Sequence, residues 1–442
     1  MRDRQSVIER AEIEGVELVR FLYADHGGVI RGKAASRTRL AERLSSGIGH
    51  TVAMMAMNML DQLQEVEHFG PVGEVRIMPD PSTFVLLPYS PGAAAMVSDL
   101  VQLDGSAWDA CPRTFLKEAV AALEAEGYAL EAAFEPEFTL GHRVAGPEGG
   151  LDTLVPLDDS LCYSTIGFDL AHDYAIKLVR TLEAQGLRVE HYHPELGHGQ
   201  QELSIRHAPA LRAADNQILY RETVRGVALR MSMWASLAPK PIADQAGNGA
   251  HLHLSLWDRE RHANLFDGDP GLMNAFVGGL LAHLPALTAL TCGTVNSFRR
   301  LAPRMWSSAY AVHGPDNREA AVRICSPLGQ TGSVNLELKP SDSSANPYLS
   351  LGAVIHAGLD GIRRGLDPGE PVLIDPDTRP GAYPRLPSSL DEALDALEAD
   401  SLLMAALGPL RGGAYLAVKR SEAAAFKERD AAFELFHHLR VF

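Results

Sequence analysis

The 442-residue chain has only four cysteines, Cys111, Cys162, Cys292 and Cys325, and none of them has CxxC spacing. That excludes a disulfide-built scaffold and a thiolate zinc site. Basic residues are also short, with 40 Lys and Arg against 56 Asp and Glu and a formal charge of −16. A nucleic-acid surface or an attachment to anionic lipid would show the opposite balance. The opening stretch MRDRQSVIERAEIEG is charged throughout and lacks the apolar core of a secretory signal. The most apolar long run, AFVGGLLAHLPALTALT (Ala275 to Thr291), is broken by His283 and Pro285 and reads as a buried helix rather than a membrane span. No internal repeat or low-complexity tract is present. These absences lead us to expect a cytoplasmic protein with neither nucleic acid nor membrane as a partner.

What is present is an ordinary globular composition, 46% hydrophobic and 22% charged, long enough for two or three domains and a large core. The pattern is α+β. VELVRFLYAD and GGVIRGKAA form a hairpin turned at Asp25-His26-Gly27-Gly28. EVRIMPDPSTFVLLPY holds two more short strands, and the first hundred residues read as strand-rich. From Cys111 the texture changes with the helix CPRTFLKEAVAALEAEGY, so a boundary is expected at 108, giving domains 1–108 and 109–442. Strand and helix patterns then alternate to the C-terminus. GGVIRGKA nearly spells a phosphate-binding P-loop. Ala34 replaces the hydroxyl that should meet Mg²⁺, however, and the context is a hairpin.

The carboxylates carry more information. FEPEFTL puts Glu135 and Glu137 on one face of a strand, and Glu195, Glu202 and Glu337 follow in PELG, GQQELSI and SVNLELKP. GAHLHLSLW puts His251 and His253 on one face with Leu252 and Leu254 on the other. Singly, each carboxylate is a solvated strand residue more often than a ligand. Together, if the strands share a sheet, five negative charges need strong compensation, which two divalent cations supply. Carboxylates with one imidazole suit Mg²⁺ or Mn²⁺. Two metals with Arg299, Arg300, Arg318 or Arg323 are parts of phosphoryl transfer. The histidines of HYHPELGH (His191, His193, His198) lie near no cysteine and fit no zinc template, so they are set aside.

KPIADQAGNGAHLHLS (Lys240 to Ser255) resembles the ATP-region signature of glutamine synthetases. YADHGG, EPEF, PELGHGQQELS, NSFRRLAP, DNREAAVRI and LELKPSDSSANPYLSLGAVIHAGLDGI agree with that family in order and spacing, from about residue 20 to 365. The resemblance is to the bacterial type I branch and its relatives. It implies an N-terminal β-grasp domain, a catalytic domain built on an open antiparallel barrel, and a homododecamer of two hexameric rings with active sites between subunits. By motif, Glu137, Glu195 and Glu202 would hold one metal, and Glu135, His251 and Glu337 the other. His253 and Ser255 would face ATP, and Arg318 and Arg323 its phosphates. Arg300, Gly247 and Lys339 would hold glutamate, and Asp25 would help bind the amine across the subunit interface.

Four positions depart from the family. The closing loop here reads RLAPRMWSS, with Trp306 where the family has a proton-accepting glutamate. Ala246 replaces a substrate-binding Asn, while Lys339 and Asn335 replace arginines. The resemblance therefore implies an ATP-dependent ligase that joins a carboxylate, expected to be the γ-carboxylate of glutamate, to an amine larger than ammonia through an acyl phosphate. Ordinary glutamine synthesis and a catalytically inactive relative are the alternatives.

Overall fold

Period-two alternation builds two sheets, and the register of the second sets the position of every candidate ligand. The computed structural model describes residues 3–442 apart from 147–150, 328, 330 and 331. The first six strands are β1 (Leu18–Ala24), β2 (Ile30–Ser36), β3 (Ile48–Thr51), β4 (Glu74–Pro79), β5 (Val85–Leu86) and β6 (Ala93–Val101). They form a sheet in the order β2-β1-β6-β4-β3, with β5 also paired to β6. β1 and β2 are the expected hairpin, so GGVIRGKA lies on a turn and a strand, not on a strand–loop–helix unit. Helices α1 (Arg4–Ile13) and α2 (Leu40–Ser46) bury Val7, Ala11, Leu40 and Leu44 against Val19, Phe21, Ile77 and Met96 of this sheet. The sequence reading of a strand-rich region named neither helix. α1 buries only two side chains, so its sequence carries no apolar stripe to read.

The second sheet has ten strands: β7 (Tyr128–Val144), β8 (Thr153–Pro156), β9 (Val189–Pro194), β10 (Gln200–Ile205), β11 (Ala208–Pro209), β12 (Trp234–Ser236), β13 (Ala250–Asp258), β14 (His313–Pro315), β15 (Val322–Cys325) and β16 (Asn335–Leu338). Their order is β14-β15-β16-β13-β7-β10-β9, with β8, β11 and β12 also on β7, which gives a barrel-like layer. One face of its strands presents Phe134, Phe138, Leu203, Leu252, Leu254, Leu336 and Leu338 to the main core. The helices are α3 (Pro112–Ala125), α4 (Thr165–Ala184), α5 (Ala210–Arg230), α6 (Leu265–Gly268), α7 (Pro270–Thr291), α8 (Ser297–Arg300), α9 (Pro347–Arg364), α10 (Leu390–Ala399), α11 (Ser401–Lys427) and α12 (Ala431–Val441). After Pro347 the described residues contain helices and loops but no strand, so the alternation expected to run to the C-terminus stops there.

α7 runs unbroken through Pro285. By length and composition it and α11 could each cross a membrane, although His283 and Pro285 argued against that for α7. Here α7 packs between α9 and α10. Gly279 and Gly361 allow the close crossing with α9, because a Cβ on either would overlap the other helix's backbone. α9 itself starts with Asn346 capping the N–H groups of Tyr348 and Leu349, has Pro347 in its first turn, and ends at left-handed Gly365.

Charged side chains tie the first sheet and its loops to helices α3, α5 and α11. Arg113, 2% exposed, pairs with Asp80, Asp99 and Asp215. Buried Lys419 and Glu422 of α11 pair at 2.9 Å. Lys419 Nζ donates to the Gly27 carbonyl at 2.9 Å, and Glu422 Oε1 accepts from the Met59 N–H at 2.8 Å. The Asp25–Gly28 turn is thereby locked beneath α11.

His283 ties three helices together. Its Nδ1 meets Asp400 at 2.6 Å, at the N-cap of α11, and its Nε2 meets Asp360 of α9 at 3.1 Å. Asp400, then Asp360, raise the imidazole's pKa above the ordinary 6.5. The resulting stabilisation is complete below pH 6.5 and fades as pH rises through the raised value. His283→Gln should cost about 1.5 kcal/mol at pH 6 and progressively less at higher pH. Melting temperatures of both proteins across pH 6–10 should show the gap closing, and a constant gap would refute the charge linkage.

Candidate active site

The register of the ten-stranded sheet places the acidic positions opposite one another. Across β7 and β13, Glu135 faces His251. Across β7 and β10, Glu137 faces Glu202. Across β13 and β16, His253 faces Glu337, and across β15 and β16, Glu337 faces Arg323. Directly opposed residues lie on the same face, so these side chains gather on the face away from the apolar core. Glu195 follows the end of β9 and joins them from a turn. Together they line a cavity of about 660 Å³ that also receives Gly247, Arg300, Trp306, Arg318 and Lys339. His253 and Ser255 line an adjoining cavity of about 580 Å³ with Glu190, Trp257 and Asn335, and Glu135 and His191 border both.

Asp25 does not line the cavity of its own chain. Its carboxylate is fully buried, 2.5 Å from Arg31 Nε, and accepts from the Val29 N–H. Burial raises its pKa against the pull of Arg31.

The electrostatics follow from crowding. Glu135, Glu137, Glu195, Glu202 and Glu337 share the cavity with Arg300, Arg318, Arg323 and Lys339, and four histidines make up the balance. Glu135, although desolvated, is held well below the usual carboxylate range by His191, His251 and His253. Burial raises Glu202 to about 7, aided by the charges of Glu135 and Glu137. Burial also raises Glu137. His191 is pushed up to about 10 by Glu135 and then Glu202. Glu337 stays well below its usual range, with burial opposed by His251 at 3.1 Å and by Lys339 at 3.0 Å.

The donor set fits divalent cations. One ligand atom each from Glu135, His251 and Glu337 lies within 4.8 Å of the others. His251 turns Nδ1 to this group, 3.1 Å from Glu337, while its Nε2 accepts from Arg300 Nη2 at 3.0 Å, so Nδ1 carries the ring proton here and would give it up to a cation. Gly247 and Gly249 let the strand entry lie this close, since a Cβ on either would press into Arg300. Arg300 is 3% exposed, and its Nη1 is buried with no hydrogen-bond partner among the described residues. A buried unpaired guanidinium nitrogen beside a cavity is suited to an incoming carboxylate.

Two histidines were missed. His191 and His193, set aside for want of a zinc template, stand at 3.2 and 3.8 Å from Glu202, and His193 is 2.9 Å from Glu195. The readable signal was the alternation His191-Tyr192-His193, which puts both rings on one face of β9.

Glu319 was missed as well. Its two carboxylate oxygens accept the Arg304 and Trp306 N–H groups at 2.9 and 3.0 Å, and Ser308 Oγ donates to its carbonyl at 3.0 Å. Arg304, Trp306 and Ser308 all have positive φ, an unfavourable backbone that requires such fixing. Trp306 is 49% exposed at the cavity. Glu319→Ala should release this loop, so trypsin should cut after the exposed Arg304 several-fold faster than in the wild type. Unchanged cleavage would show that the clamp is not needed.

Comparisons with known proteins agree with this geometry. Residues 3–108 match the glutamine synthetase N-terminal domain, and residues 109–437 match the glutamine synthetase catalytic domain. A gamma-glutamylpolyamine synthetase, GlnA3, from Streptomyces coelicolor is 36% identical over 94% of this chain and 92% of its own. A glutamine synthetase from Halobacterium salinarum is 32% identical over 100% and 97%. Among solved structures, a GmaS–ADP complex superposes with a TM-score of 0.85 at 30% identity, covering 98% of both chains. A structure described as a novel glutamine synthase homolog gives 0.84 at 34% identity, covering 97% of this chain and 99% of its own. The chain belongs to the glutamine synthetase family and is an ATP-dependent ligase that forms amide bonds.

Proposed function

We propose that the enzyme joins the γ-carboxylate of glutamate to an amine larger than ammonia. The observation that carries this reading is Trp306, at the cavity where the family's proton-accepting glutamate is expected. An indole cannot accept a proton from ammonium, but it can pack on an alkyl chain or hold a cationic amine over its face. The nearby carboxylate that could have replaced that glutamate, Glu319, is committed to backbone N–H groups of the loop. A relative named for a γ-glutamylpolyamine product, alike over almost the whole chain, supports the same reading.

The residues divide the work by position. Arg300, with its unpaired Nη1, would hold the acid, assisted by Gly247 and by buried Lys339. His253 and Ser255 would border the nucleotide. Exposed Arg318, and Arg323 now paired with Glu337 at 2.5 Å, would meet the phosphates. Two or more Mg²⁺ or Mn²⁺ held by Glu135, Glu137, Glu195, Glu202, His251 and Glu337 would neutralise charge on the transferred phosphoryl group. The acid becomes an acyl phosphate because a free carboxylate repels nucleophiles. Trp306 would then shield it from water and admit the amine.

The test measures ATP hydrolysis with glutamate against ammonia, alkylamines and polyamines in the wild type and Trp306→Glu. We expect the wild type to prefer a larger amine. The variant should gain ammonia-dependent turnover by about 10²-fold, the usual worth of a general base. A wild type that already uses ammonia best would overturn the proposal.

We further propose a cytoplasmic homododecamer of two hexameric rings, with Asp25 helping to bind the amine at a neighbour's site. Leu161, Ile166 and Leu170 are 83%, 61% and 50% exposed beside the cavity-lining Cys162 and Tyr163, an apolar patch suited to a subunit contact. Light scattering of the active enzyme should give the dodecamer mass, and an active monomer would refute the assembly.

A further inference from the structure

The Glu202 end of the cavity differs chemically from the Glu337 end. At the Glu337 end the cluster is two carboxylates and one imidazole: Glu135, His251 and Glu337. At the other end, His191, His193 and Glu202 each direct a ligand atom to a common point, all within 4.8 Å of one another. His191 Nε2 and His193 Nε2 lie 3.2 and 3.8 Å from the same oxygen, Glu202 Oε1, and His193 Nε2 lies 2.9 Å from Glu195 Oε1. The two rings are nearly parallel, 16° apart in plane, with centroids 5.7 Å apart. Around an ion with bonds of about 2.0–2.2 Å, neighbouring ligand atoms stand about 3.0–3.5 Å apart; the 3.2 Å separation falls in that range, and those of 2.9 and 3.8 Å fall within about 0.3 Å of it.

Sheet register holds the set in place. His193 is directly opposite Glu202 on β10, and His191 is opposite Ser204. Ser204 Oγ lies 3.0 Å from the same nitrogen, His191 Nε2, and donates to Glu135 Oε1 at 3.2 Å, so the hydroxyl orients the ring and accepts a hydrogen bond whose proton a cation would displace. Tyr192, between the two histidines, points the other way and bonds Gln201. Glu137, the carboxylate expected to complete this end, has one oxygen taken by Gln200 at 2.5 Å and by the Gly249 N–H at 3.0 Å. Imidazoles therefore occupy ground where the family resemblance supplies only carboxylates.

Ligand type decides which ion such a shell accepts. Mg²⁺ prefers oxygen and keeps its waters, whereas Co²⁺ and Zn²⁺ bind imidazole nitrogen more strongly, with Mn²⁺ between them. We propose that His191, His193, Glu195 and Glu202 form a mixed nitrogen–oxygen cation site that selects imidazole-accepting divalent ions over Mg²⁺. The proposal rests on reading this cavity as the ligase's metal-binding site. It is tested on free enzyme without ATP, acid or amine, so a failure to ligate any chosen amine leaves it standing.

Equilibrium dialysis of metal-stripped protein with Mn²⁺, Co²⁺ or Mg²⁺ compares the wild type with His191→Gln, His193→Gln and the double variant. Loss of a nitrogen ligand should weaken Co²⁺ binding by about tenfold or more and Mn²⁺ binding by less, while leaving Mg²⁺ binding nearly unchanged. Equal losses for all three ions, or no loss, would overturn the proposal, because histidines that only neutralise charge do not discriminate between ions of equal charge. A second measurement needs no variant. X-ray absorption of wild type loaded with a single equivalent of Zn²⁺ should show two imidazoles per ion. A shell with one imidazole, the number His251 alone supplies, or with none, would overturn it.

Discussion

Like charges held a few ångströms apart repel, and this protein is organised around that repulsion. Five glutamates face one cavity from three strands and a turn. Isolated carboxylates at that depth would take up protons or push the strands apart. The sheet counters this by register. Glu135 is opposite His251, Glu202 is opposite His193, and Glu337 is opposite both His253 and Arg323. Three of these anions meet a group able to carry positive charge, Glu137 instead takes the uncharged donors of Gln200 and Gly249, and the shifts in Glu135, Glu202 and His191 record the competition. The same arrangement that tolerates the charge without a bound ion is suited to exchange it for one.

The acceptor side follows a different rule, backbone strain offset by one side chain. Three residues of positive φ within five positions would be costly in an unsupported loop. Glu319 offsets the cost by accepting two N–H groups, and burial raises its pKa while those two donors pull it down. Trp306 is thereby presented at the cavity by backbone geometry, and its ring makes no hydrogen bond or aromatic contact among the described residues. The loop and the metal face thus meet in one cavity but are built from independent interactions.

Much of the site was legible in the chain. Glu135, Glu137, Glu202, His251 and Glu337 sit in short alternating segments, and period two alone puts each on a polar face. The hairpin at Asp25, the helix beginning at Pro112 and the buried run around Leu280 were legible for the same reason, since each carries its own pattern. α1 was not, because a helix that buries only Val7 and Ala11 leaves no stripe. Nor was the uninterrupted course of α7 through Pro285, which depends on the neighbours that hold it.

Sequence by itself determined which residues carry charge and to which side of its own strand each one points. Alternation is a local property of the extended backbone. Only the tertiary structure decided which of those sides would meet. His191 and His193 share a face by alternation, but their meeting with Glu202 required β9 to pair with β10 in one register, and a shift of one residue would have turned them away. Glu319 lies 13 residues from Trp306, and its bond to that N–H exists only because the chain folds back there. Contacts of this kind depend on distances between segments, which a linear pattern does not contain.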